Sequence, residues 1–203
     1  MADIRAIIWD LGGVLVRTED LKPRESLASR LGMNTTELEH LVFSSDSGIK
    51  AQLGEISIDQ HWENLSRLLN QSVDDMITFQ RDFWGGDHLD TALIDFIRSL
   101  RSTYKTGLLS NAFSDLRYVI TDIWGFSDAF DHMIISSEVG EMKPNPRIYQ
   151  ITLGCFGFKP QEVVLIDDFQ INLLGARKMG MIGIQFNTPE QVISELKRLT
   201  GEK

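Results

Sequence analysis

The second half of the chain alternates short apolar segments with segments whose apolar residues fall at helical spacing, and this alternation is the feature that most restricts the fold. The apolar segments are short and rich in β-branched residues, which is typical of buried strands. Predicted strands cover residues 105–109, 132–135, 163–166 and 182–186, and predicted helices cover residues 92–100, 114–124, 146–156, 171–179 and 189–199. Strands that alternate with helices of about ten residues form a parallel sheet with helices on both faces.

A segment of the same kind lies near the start of the chain. Residues 4–9 are apolar apart from Arg5, and we predict a strand that ends directly before Asp10. Gly12 and Gly13 follow and permit a tight turn with close approach of the backbone. Ligands of open parallel sheets bind just beyond the carboxyl ends of the strands, so Asp10 is a candidate functional residue. Taken alone, this stretch is equally compatible with an aspartate that only caps a turn.

Residues 17–90 have a different character, because their apolar residues fall at helical spacing. Ser57 and Ser72 each precede such a segment, and the side chain three residues later is acidic or an amide, a pattern typical of helix starts. We predict helices at residues 23–31, 36–43, 58–69 and 73–83, and no strand between residues 16 and 104. The sequence thus predicts two domains: a core of residues 1–16 and 91–203, and an inserted all-helical cap of residues 17–90.

The composition restricts the partners. The 203 residues carry a formal net charge of −9, and the pI is near 4.9, so nucleic acid and anionic membrane surfaces are not expected partners. Cys155 is the only cysteine, which excludes a disulfide framework, and its place in an apolar helix predicts a packing role. The sequence shows no signal sequence and no long apolar span, so we expect a cytoplasmic protein. The oligomeric state is not defined by the sequence.

Polar side chains stand at the ends of the predicted strands or in the loops that follow them. They are Asp10, Ser110 with Asn111, Lys143, and Asp167 with Asp168. Because parallel strands point the same way, these side chains are expected to converge on one crevice. Carboxylates on two sides of a crevice form an oxygen site of the kind that holds Mg²⁺, which keeps several waters and is completed by substrate phosphate. Lys143 would balance the negative charge, and Ser110 would hydrogen-bond a phosphoryl oxygen.

Four motifs carry a resemblance to a known enzyme family. They are residues 9–15 (WDLGGVL), 109–111 (LSN), 143–149 (KPNPRIY) and 166–168 (IDD), the last followed by Asn172, Gly175 and Ala176. In order and spacing they resemble the motifs of the haloacid dehalogenase-like hydrolase superfamily, in the branch with a helical cap inserted after the first motif. The resemblance covers essentially the whole chain. It implies a Rossmann-like three-layer α/β/α core with a parallel sheet, and an inserted all-helical cap.

The resemblance also implies a reaction, the hydrolysis of a small phosphorylated metabolite. Asp10 would be the nucleophile that forms an aspartyl-phosphate. Ser110 would contact a phosphoryl oxygen, and Lys143 would balance charge at the phosphate. Asn111 would either shape the anion site or serve only the turn, and the sequence does not decide between the two.

A Mg²⁺ site is implied in the same way. Asp10, Asp168 and the backbone carbonyl of Gly12 would bind the metal directly. Asp167 would lie beside it, and Asn172 would support the loop from the following helical turn.

The chain departs from the family's pattern at Gly12. Most phosphatases of the family carry a second aspartate two residues after the nucleophile, which protonates the leaving alcohol and then activates water. Glycine retains the backbone carbonyl, so metal binding should survive. The missing general acid and base is typically worth about 10² to 10⁴ in rate. We therefore expect a substrate whose leaving group departs easily, such as a sugar 1-phosphate or an acyl phosphate, and favour a sugar phosphate. Alternatively, a water or a cap carboxylate takes over the acid role; Glu55 is the candidate, unless it is only a solvated residue at a helix start.

Two other functions stay open at this point. A 2-haloacid dehalogenase uses the same aspartate without a metal, which would leave Asp167 and Asp168 unexplained. That branch usually has a tyrosine at the position of Gly12 and a Ser-Ser-Asn run at residues 166–168. The other is a catalytically weak or silent binding or regulatory protein of the same fold, for which Gly12 is the evidence.

Overall fold

The core of the computed structural model, which describes residues 3–201, is a five-stranded parallel sheet. In chain order the strands are β1 (Ala6–Trp9), β2 (Val16–Thr18), β3 (Asp87–Leu89), β4 (Lys105–Ser110), β5 (His132–Ile135), β6 (Val163–Asp167) and β7 (Ile182–Gln185). The parallel sheet has the order β5-β4-β1-β6-β7, and the central strand β1 is buried along its whole length. The carboxyl ends of these strands therefore lie at one edge of the sheet.

Helices connect the strands of the sheet and build the insertion between β2 and β3. In chain order they are α1 (Lys22–Arg30), α2 (Thr35–Glu39), α3 (Asp46–Gln52), α4 (Ile58–Leu69), α5 (Val73–Trp84), α6 (Thr91–Leu100), α7 (Leu116–Tyr118), α8 (Ser136–Val139), α9 (Pro146–Phe156), α10 (Gln170–Lys178) and α11 (Pro189–Thr200). Two π-helical turns extend α2 and α7, at His40–Ser44 and Val119–Ile123. Short 3₁₀ turns lie at Ser127–Ala129 and Pro160–Glu162.

The side chains of β1 alternate between two apolar clusters, one on each face of the sheet. Ile7 and Trp9 belong to one cluster and Ala6 and Ile8 to the other, as the two-residue period of a strand requires. Helices α6 and α11 cover the first face, and α9 and α10 cover the second. The predicted three-layer α/β/α core is confirmed.

Helices α1 to α5 pack on one another around a third apolar cluster, which includes Leu65 and Phe79. The predicted helix start at Ser57 is confirmed, because its hydroxyl accepts a hydrogen bond from the Gln60 N–H and the Gln60 side chain accepts one from the Ser57 N–H. Ser72 caps α5 in the same way. The inserted helical cap is confirmed as part of the fold. The domain boundaries stay predictions, and residues 1–2 and 202–203 of the predicted core lie outside the described part of the chain.

The prediction that no strand lies between residues 16 and 104 is wrong. Strands β2 and β3 pair in antiparallel fashion where the chain enters and leaves the insertion, with Val16 opposite Leu89. Each strand has three residues and none of them is buried, so neither carries the apolar period on which the prediction depends. The two linkers pair because they run side by side and satisfy each other's backbone groups. Arg17 and Asp90 add an ion pair of 2.7 Å at the same place.

Three smaller predictions also need correction. Helix α3 was not predicted, since Gly48 interrupts its pattern; Gly48 is kept there because a Cβ would overlap the Val42 carbonyl. Residues 114–124 form the short α7 and a π-helical turn instead of one α-helix. Cys155 lies on the exposed side of α9 and does not pack in the core. Within residues 3–201 no helix combines the length and the apolar character needed to cross a membrane, and a cytoplasmic location stays a prediction.

Candidate active site

The strand-end residues predicted from the sequence meet at the carboxyl edge of the sheet. Asp10 follows β1 directly, and Ser110 is the last residue of the neighbouring strand β4. Lys143 reaches the same place from the loop between α8 and α9. Its Nζ atom lies 2.8 Å from Asp10 Oδ2 and 2.7 Å from Asp167 Oδ2, at the end of β6. The structure thus joins groups that are more than a hundred residues apart in the chain.

Lys143 is a buried cation, with only 2% of its surface exposed. Burial alone would lower the pKa of its amine, but the Asp10 and Asp167 carboxylates together hold that pKa above its usual value. The amine is therefore charged at neutral pH. It supplies a fixed positive charge at the carboxyl edge of the sheet, in a protein whose net charge is negative.

Three carboxylates lie close together at this edge of the sheet. Asp10, Asp167 and Asp168 each offer an oxygen atom, and these atoms all lie within 4.8 Å of one another. Burial raises the pKa of Asp10 to about 7, and the charges of Asp167 and Asp168 add to the rise while Lys143 opposes it. Burial and the Asp167 charge likewise raise the pKa of Asp168 to about 6. A divalent cation would reverse both shifts.

Asp168 Oδ1 gives an independent indication of a metal site. This atom is buried and has no hydrogen-bond partner in the part of the chain that the structure describes. Leaving a buried charged oxygen unpaired costs free energy, so such an atom calls for an explanation. A hard cation bound by oxygen ligands provides one, and the donor set of three carboxylates fits it.

The Asp167 carboxylate is held by several hydrogen bonds. Its carboxylate accepts hydrogen bonds from the Asn172 side chain at 3.0 and 3.1 Å and from the Phe169 N–H at 2.8 Å. Asn172 is in turn fixed through its carbonyl, which accepts a hydrogen bond of 2.8 Å from the buried Tyr149 hydroxyl. Asn172 thus contacts Asp167 directly. The ion pair with Lys143 is a further contact of the same carboxylate.

Asn111 serves the loop that carries Lys143. Its Nδ2 atom donates to the Lys143 carbonyl at 2.9 Å, and its Oδ1 atom accepts from the Lys143 N–H at 2.7 Å. Of the two roles left open by the sequence, the structure uses the Asn111 amide for loop geometry. Ser110 beside it is 3% exposed. A contact of Ser110 or Asn111 with phosphate stays a prediction.

Gly12 and Gly13 differ in the space around them. A Cβ atom at Gly12 would meet no atom within 4 Å, and the residue itself is exposed. A Cβ atom at Gly13 would overlap the Asp168 carboxylate, and the φ angle of Gly13 is +75°. Only Gly13 is thus required by the backbone and by packing. Gly12 leaves an open space two residues after Asp10.

The cap carboxylate considered from the sequence, Glu55, is exposed. The residue before it, Gly54, lies against the core, because a Cβ there would overlap the Ser137 carbonyl. Glu55 thus sits at the seam between cap and core, in the turn between α3 and α4. An acid role for Glu55 stays a prediction.

Sequence reasoning missed two residues next to the site. Ser136 follows β5, is fully buried, and its hydroxyl accepts a hydrogen bond of 2.9 Å from the Ala112 N–H. The strand-end argument applied to Asp10 would have found Ser136. Phe113, three residues after Ser110, is buried in the cluster of the cap. No signal in the sequence connects it to residues 17–90.

The family model for haloacid dehalogenase-like hydrolases matches residues 4–180, and the chain belongs to this family. The match includes each of the four motifs. A predicted HAD-like family hydrolase from Porphyromonas gingivalis has a similar structure, with a TM-score of 0.82, 24% identity and 100% coverage of both chains. A HAD family enzyme from Bacteroides thetaiotaomicron, in complex with magnesium and inorganic phosphate, gives a TM-score of 0.75 at 20% identity, covering 92% of this chain and 96% of the other.

Some relatives by sequence match this chain over most of their own length, and others over only a part of it. A D-ribitol-5-phosphate phosphatase of Bacteroides thetaiotaomicron is 25% identical over 190 residues, which cover 87% of this chain and 89% of the relative. The bifunctional epoxide hydrolase 2 of Rattus norvegicus is 40% identical over 89 residues, 43% of this chain and 16% of the relative. The matches to the rat protein, to bifunctional epoxide hydrolase 2 of Mus musculus and to acyl-CoA dehydrogenase family member 10 of Mus musculus cover 16%, 14% and 19% of those longer proteins.

Proposed function

We propose that this protein is a Mg²⁺-dependent phosphatase that hydrolyses a small phosphorylated metabolite, with a sugar phosphate favoured, through an aspartyl-phosphate on Asp10. The observation that carries the proposal is the grouping of one buried lysine with three carboxylates. Lys143 leaves two of the three negative charges without a counter-charge, which one divalent cation would neutralise. A site of that composition suits the transfer of a phosphoryl group, whose charge must be offset during the reaction.

The relatives support the same reaction. One of them is a phosphatase of a sugar-alcohol phosphate, and one structural neighbour binds magnesium together with inorganic phosphate. The identities are 25% and 20%, so the substrates of these relatives are not transferred to this chain. They favour phosphoryl transfer over halide displacement.

In the proposed first step, a carboxylate oxygen of Asp10 forms a bond to phosphorus while the bond from phosphorus to the leaving oxygen breaks. Ser110 would donate a hydrogen bond to a phosphoryl oxygen, and the Lys143 amine would attract the phosphoryl charge. Asp10 is held for this attack by the 2.7 Å hydrogen bond from the Leu11 N–H and by the Lys143 ion pair. Fixed donors and charges of this kind act without reorganisation during the reaction.

In the second step, the oxygen of a water molecule bonds to phosphorus and the bond to Asp10 breaks, which releases inorganic phosphate and restores the carboxylate. Asp10, Asp168 and the Gly12 carbonyl are the proposed ligands of Mg²⁺, and Asp167 lies beside them. Bound Mg²⁺ would supply positive charge that offsets the phosphoryl oxygens.

Gly12 limits the substrate in this proposal. No carboxylic acid stands two residues after Asp10 to protonate the leaving oxygen, so a leaving group that is stable as an anion is favoured. A sugar 1-phosphate or an acyl phosphate meets this condition better than a simple alkyl phosphate. The open space at Gly12 supports access of a water molecule or of the substrate itself to this position.

The test is the release of inorganic phosphate from a sugar 1-phosphate, acetyl phosphate and a sugar 6-phosphate, each with Mg²⁺ and with EDTA. We expect release only with Mg²⁺, and rates about 10²-fold lower for the 6-phosphate. Asp10→Asn should abolish release. Asp95→Asn, which changes an exposed aspartate on α6, is the matched control and should retain the full rate.

Each other result has a defined meaning. Equal rates for the 1-phosphate and the 6-phosphate would contradict the leaving-group argument, and release in EDTA would contradict the metal. Halide release from 2-chloropropionate in EDTA would identify a dehalogenase. Binding of phosphate and Mg²⁺ without turnover of any ester would identify a binding or regulatory protein.

A further inference from the structure

The apolar cluster inside the cap contains one buried residue from the core domain. Apart from this residue, the buried members described for the cluster lie between Leu27 and Phe83. The exception is Phe113, which follows strand β4 and is 6% exposed. A core-domain side chain thus fills part of the cap interior.

Phe113 contacts aromatic side chains on two different parts of the cap. Its ring is stacked on Phe43 with the centroids 6.0 Å apart and the planes at 10°. The His61 ring lies 5.3 Å away and the Trp62 ring 6.1 Å away, both on α4. Aromatic contacts of this kind contribute stability beyond the burial of area. Phe113 is therefore an anchor between core and cap, not a surface residue covered by chance.

The backbone just before Phe113 is fixed to the candidate active site. The Ala112 N–H donates to the Ser136 hydroxyl at 2.9 Å. Asn111 is bonded at both ends of its amide to the Lys143 backbone. Only two residues separate Phe113 from Ser110, a span of at most about 11 Å of extended chain. The Phe113 ring is therefore connected, through a short segment and these hydrogen bonds, to Ser110 and to the loop that carries Lys143.

A second contact between cap and core lies next to this segment. Gly54 in the turn between α3 and α4 rests on the Ser137 carbonyl, where a Cβ would find no space. Ser137 directly follows Ser136, the residue that holds Ala112. The cap thus touches the two core loops that are hydrogen-bonded to each other.

We propose that Phe113 is a positioning residue that couples the place of the cap to the geometry of Ser110 and Lys143. With the Phe113 ring packed against Phe43 and His61, the cap fixes the segment after β4. Without that ring, the segment loses its contacts with the cap, and Ser110 is less precisely positioned to contact the phosphoryl oxygens. This role rests on the proposed phosphatase function for its kinetic consequence, but the mechanical link itself does not.

The kinetic test compares Phe113→Ala with Phe79→Ala. Phe79 is a buried phenylalanine of the same cluster, and its ring contacts are to Trp62 and Phe83 within the cap. Misplacement of a group by about 1 Å costs about 10²-fold in rate. We expect Phe113→Ala to lower kcat on acetyl phosphate about tenfold or more, and Phe79→Ala to lower it less than about threefold, with both proteins assayed well below their Tm.

Phe113→Leu keeps an apolar side chain at the position and provides a second variant should Phe113→Ala fail to fold. It should restore kcat to within about threefold of the unmodified protein. If Phe113→Ala and Phe79→Ala reduce kcat in proportion to their losses in Tm, the role of Phe113 is only structural, and the proposal is wrong.

Amide hydrogen exchange tests the link without any enzymatic activity. In Phe113→Ala we expect the Ala112 and Lys143 amides, which donate to Ser136 and Asn111, to exchange about tenfold faster. In Phe79→Ala these two amides should exchange as in the unmodified protein, and only cap amides should change. Unchanged exchange of both amides in Phe113→Ala would overturn the coupling. If exchange responds as expected while no phosphate ester is hydrolysed, the coupling stands and the phosphatase proposal fails.

Discussion

Gly13 and Asp168 pack so closely that the Asp168 carboxylate occupies the volume where a Cβ atom of Gly13 would lie. We expect Gly13→Ala to displace the Asp168 side chain and to strain the backbone, because the φ angle of +75° disfavours any other residue. Disturbing the support of a metal ligand typically weakens metal binding about 10- to 100-fold. Titration calorimetry with Mg²⁺ measures this loss. Gly12→Ala, where the Cβ has free space, should bind Mg²⁺ as the unmodified protein does.

Lys143→Met should destabilise the protein strongly. Removal of the amine leaves Asp10 and Asp167 buried beside each other without a counter-charge, and breaking a buried pair in this way costs about 3–5 kcal/mol. Urea unfolding in EDTA measures the change, and added Mg²⁺ should recover part of it. Lys105→Met is the control: its ion pair with Asp131 is 58% exposed on the lysine side, and the expected cost is below about 1 kcal/mol. Equal losses for the two variants would contradict the role of Lys143.

Gly12→Asp should add the missing acid. The position is exposed, has no neighbour within 4 Å of a Cβ, and has no positive φ angle, so an aspartate fits without strain. We expect hydrolysis of a sugar 6-phosphate to rise about tenfold or more, since a general acid contributes about 10² to 10⁴. Hydrolysis of acetyl phosphate should change less, because its leaving group needs less protonation. Gly12→Ala controls for the added side chain, and a rise in both variants would refute the acid argument.

His61 should make the cap sensitive to acid. The side chain is fully buried, its Nδ1 atom lies 2.9 Å from the Ser47 hydroxyl, and burial lowers the pKa of the imidazole below its ordinary value of 6.5. Below about pH 6.5 the His61 imidazole therefore binds a proton more readily in the unfolded chain than in the folded protein. The His61 contribution to the free energy of unfolding should fall with decreasing pH in that range, by at most about 1.4 kcal/mol per pH unit, while the raised pKa values of Asp10 and Asp168 act in the opposite direction.

Urea unfolding at several values between about pH 5 and pH 7.5 checks this dependence. The difference in free energy of unfolding between the unmodified protein and His61→Gln should shift with pH below 6.5 in favour of the variant, whereas His40→Gln, which changes an exposed histidine, should not show this shift. A difference between the two proteins that stays constant with pH would contradict the role of His61.

The parallel core and the candidate site at the carboxyl edge of its sheet could be predicted from the sequence, because both follow from local patterns. The strand at Ala6–Trp9 is apolar on both faces, and such strands require helices on either side. Once the sheet is parallel, its geometry alone brings Asp10 and Asp167 together. The position of Lys143 needs one further condition, namely that it follows β5 closely enough for its side chain to reach these two carboxylates.

The seam between cap and core could not be predicted, because it depends on contacts that have no periodic signal. Strands β2 and β3 are three residues each and exist through their pairing. Phe113 is a single aromatic residue in a loop, and its partners Phe43 and His61 are at least fifty residues away. The two roles of Asn111 differ only in where its amide points, which a sequence does not record.

Val16 pairs with Leu89 where the chain enters and leaves the insertion, and this pairing affects how the insertion could be altered to accept another substrate. The two strands of an antiparallel pair are only about 5 Å apart, so the cap enters and leaves the core through neighbouring backbones. An insertion with such adjacent ends can be lengthened, shortened or exchanged as a unit while the register of the parallel sheet stays the same. The proposed chemistry at Asp10 and the choice of substrate would then lie in separable parts of the chain. Among the described residues, Phe113 is the buried residue after β4 that joins the cap's apolar cluster, and a new cap would have to accommodate it.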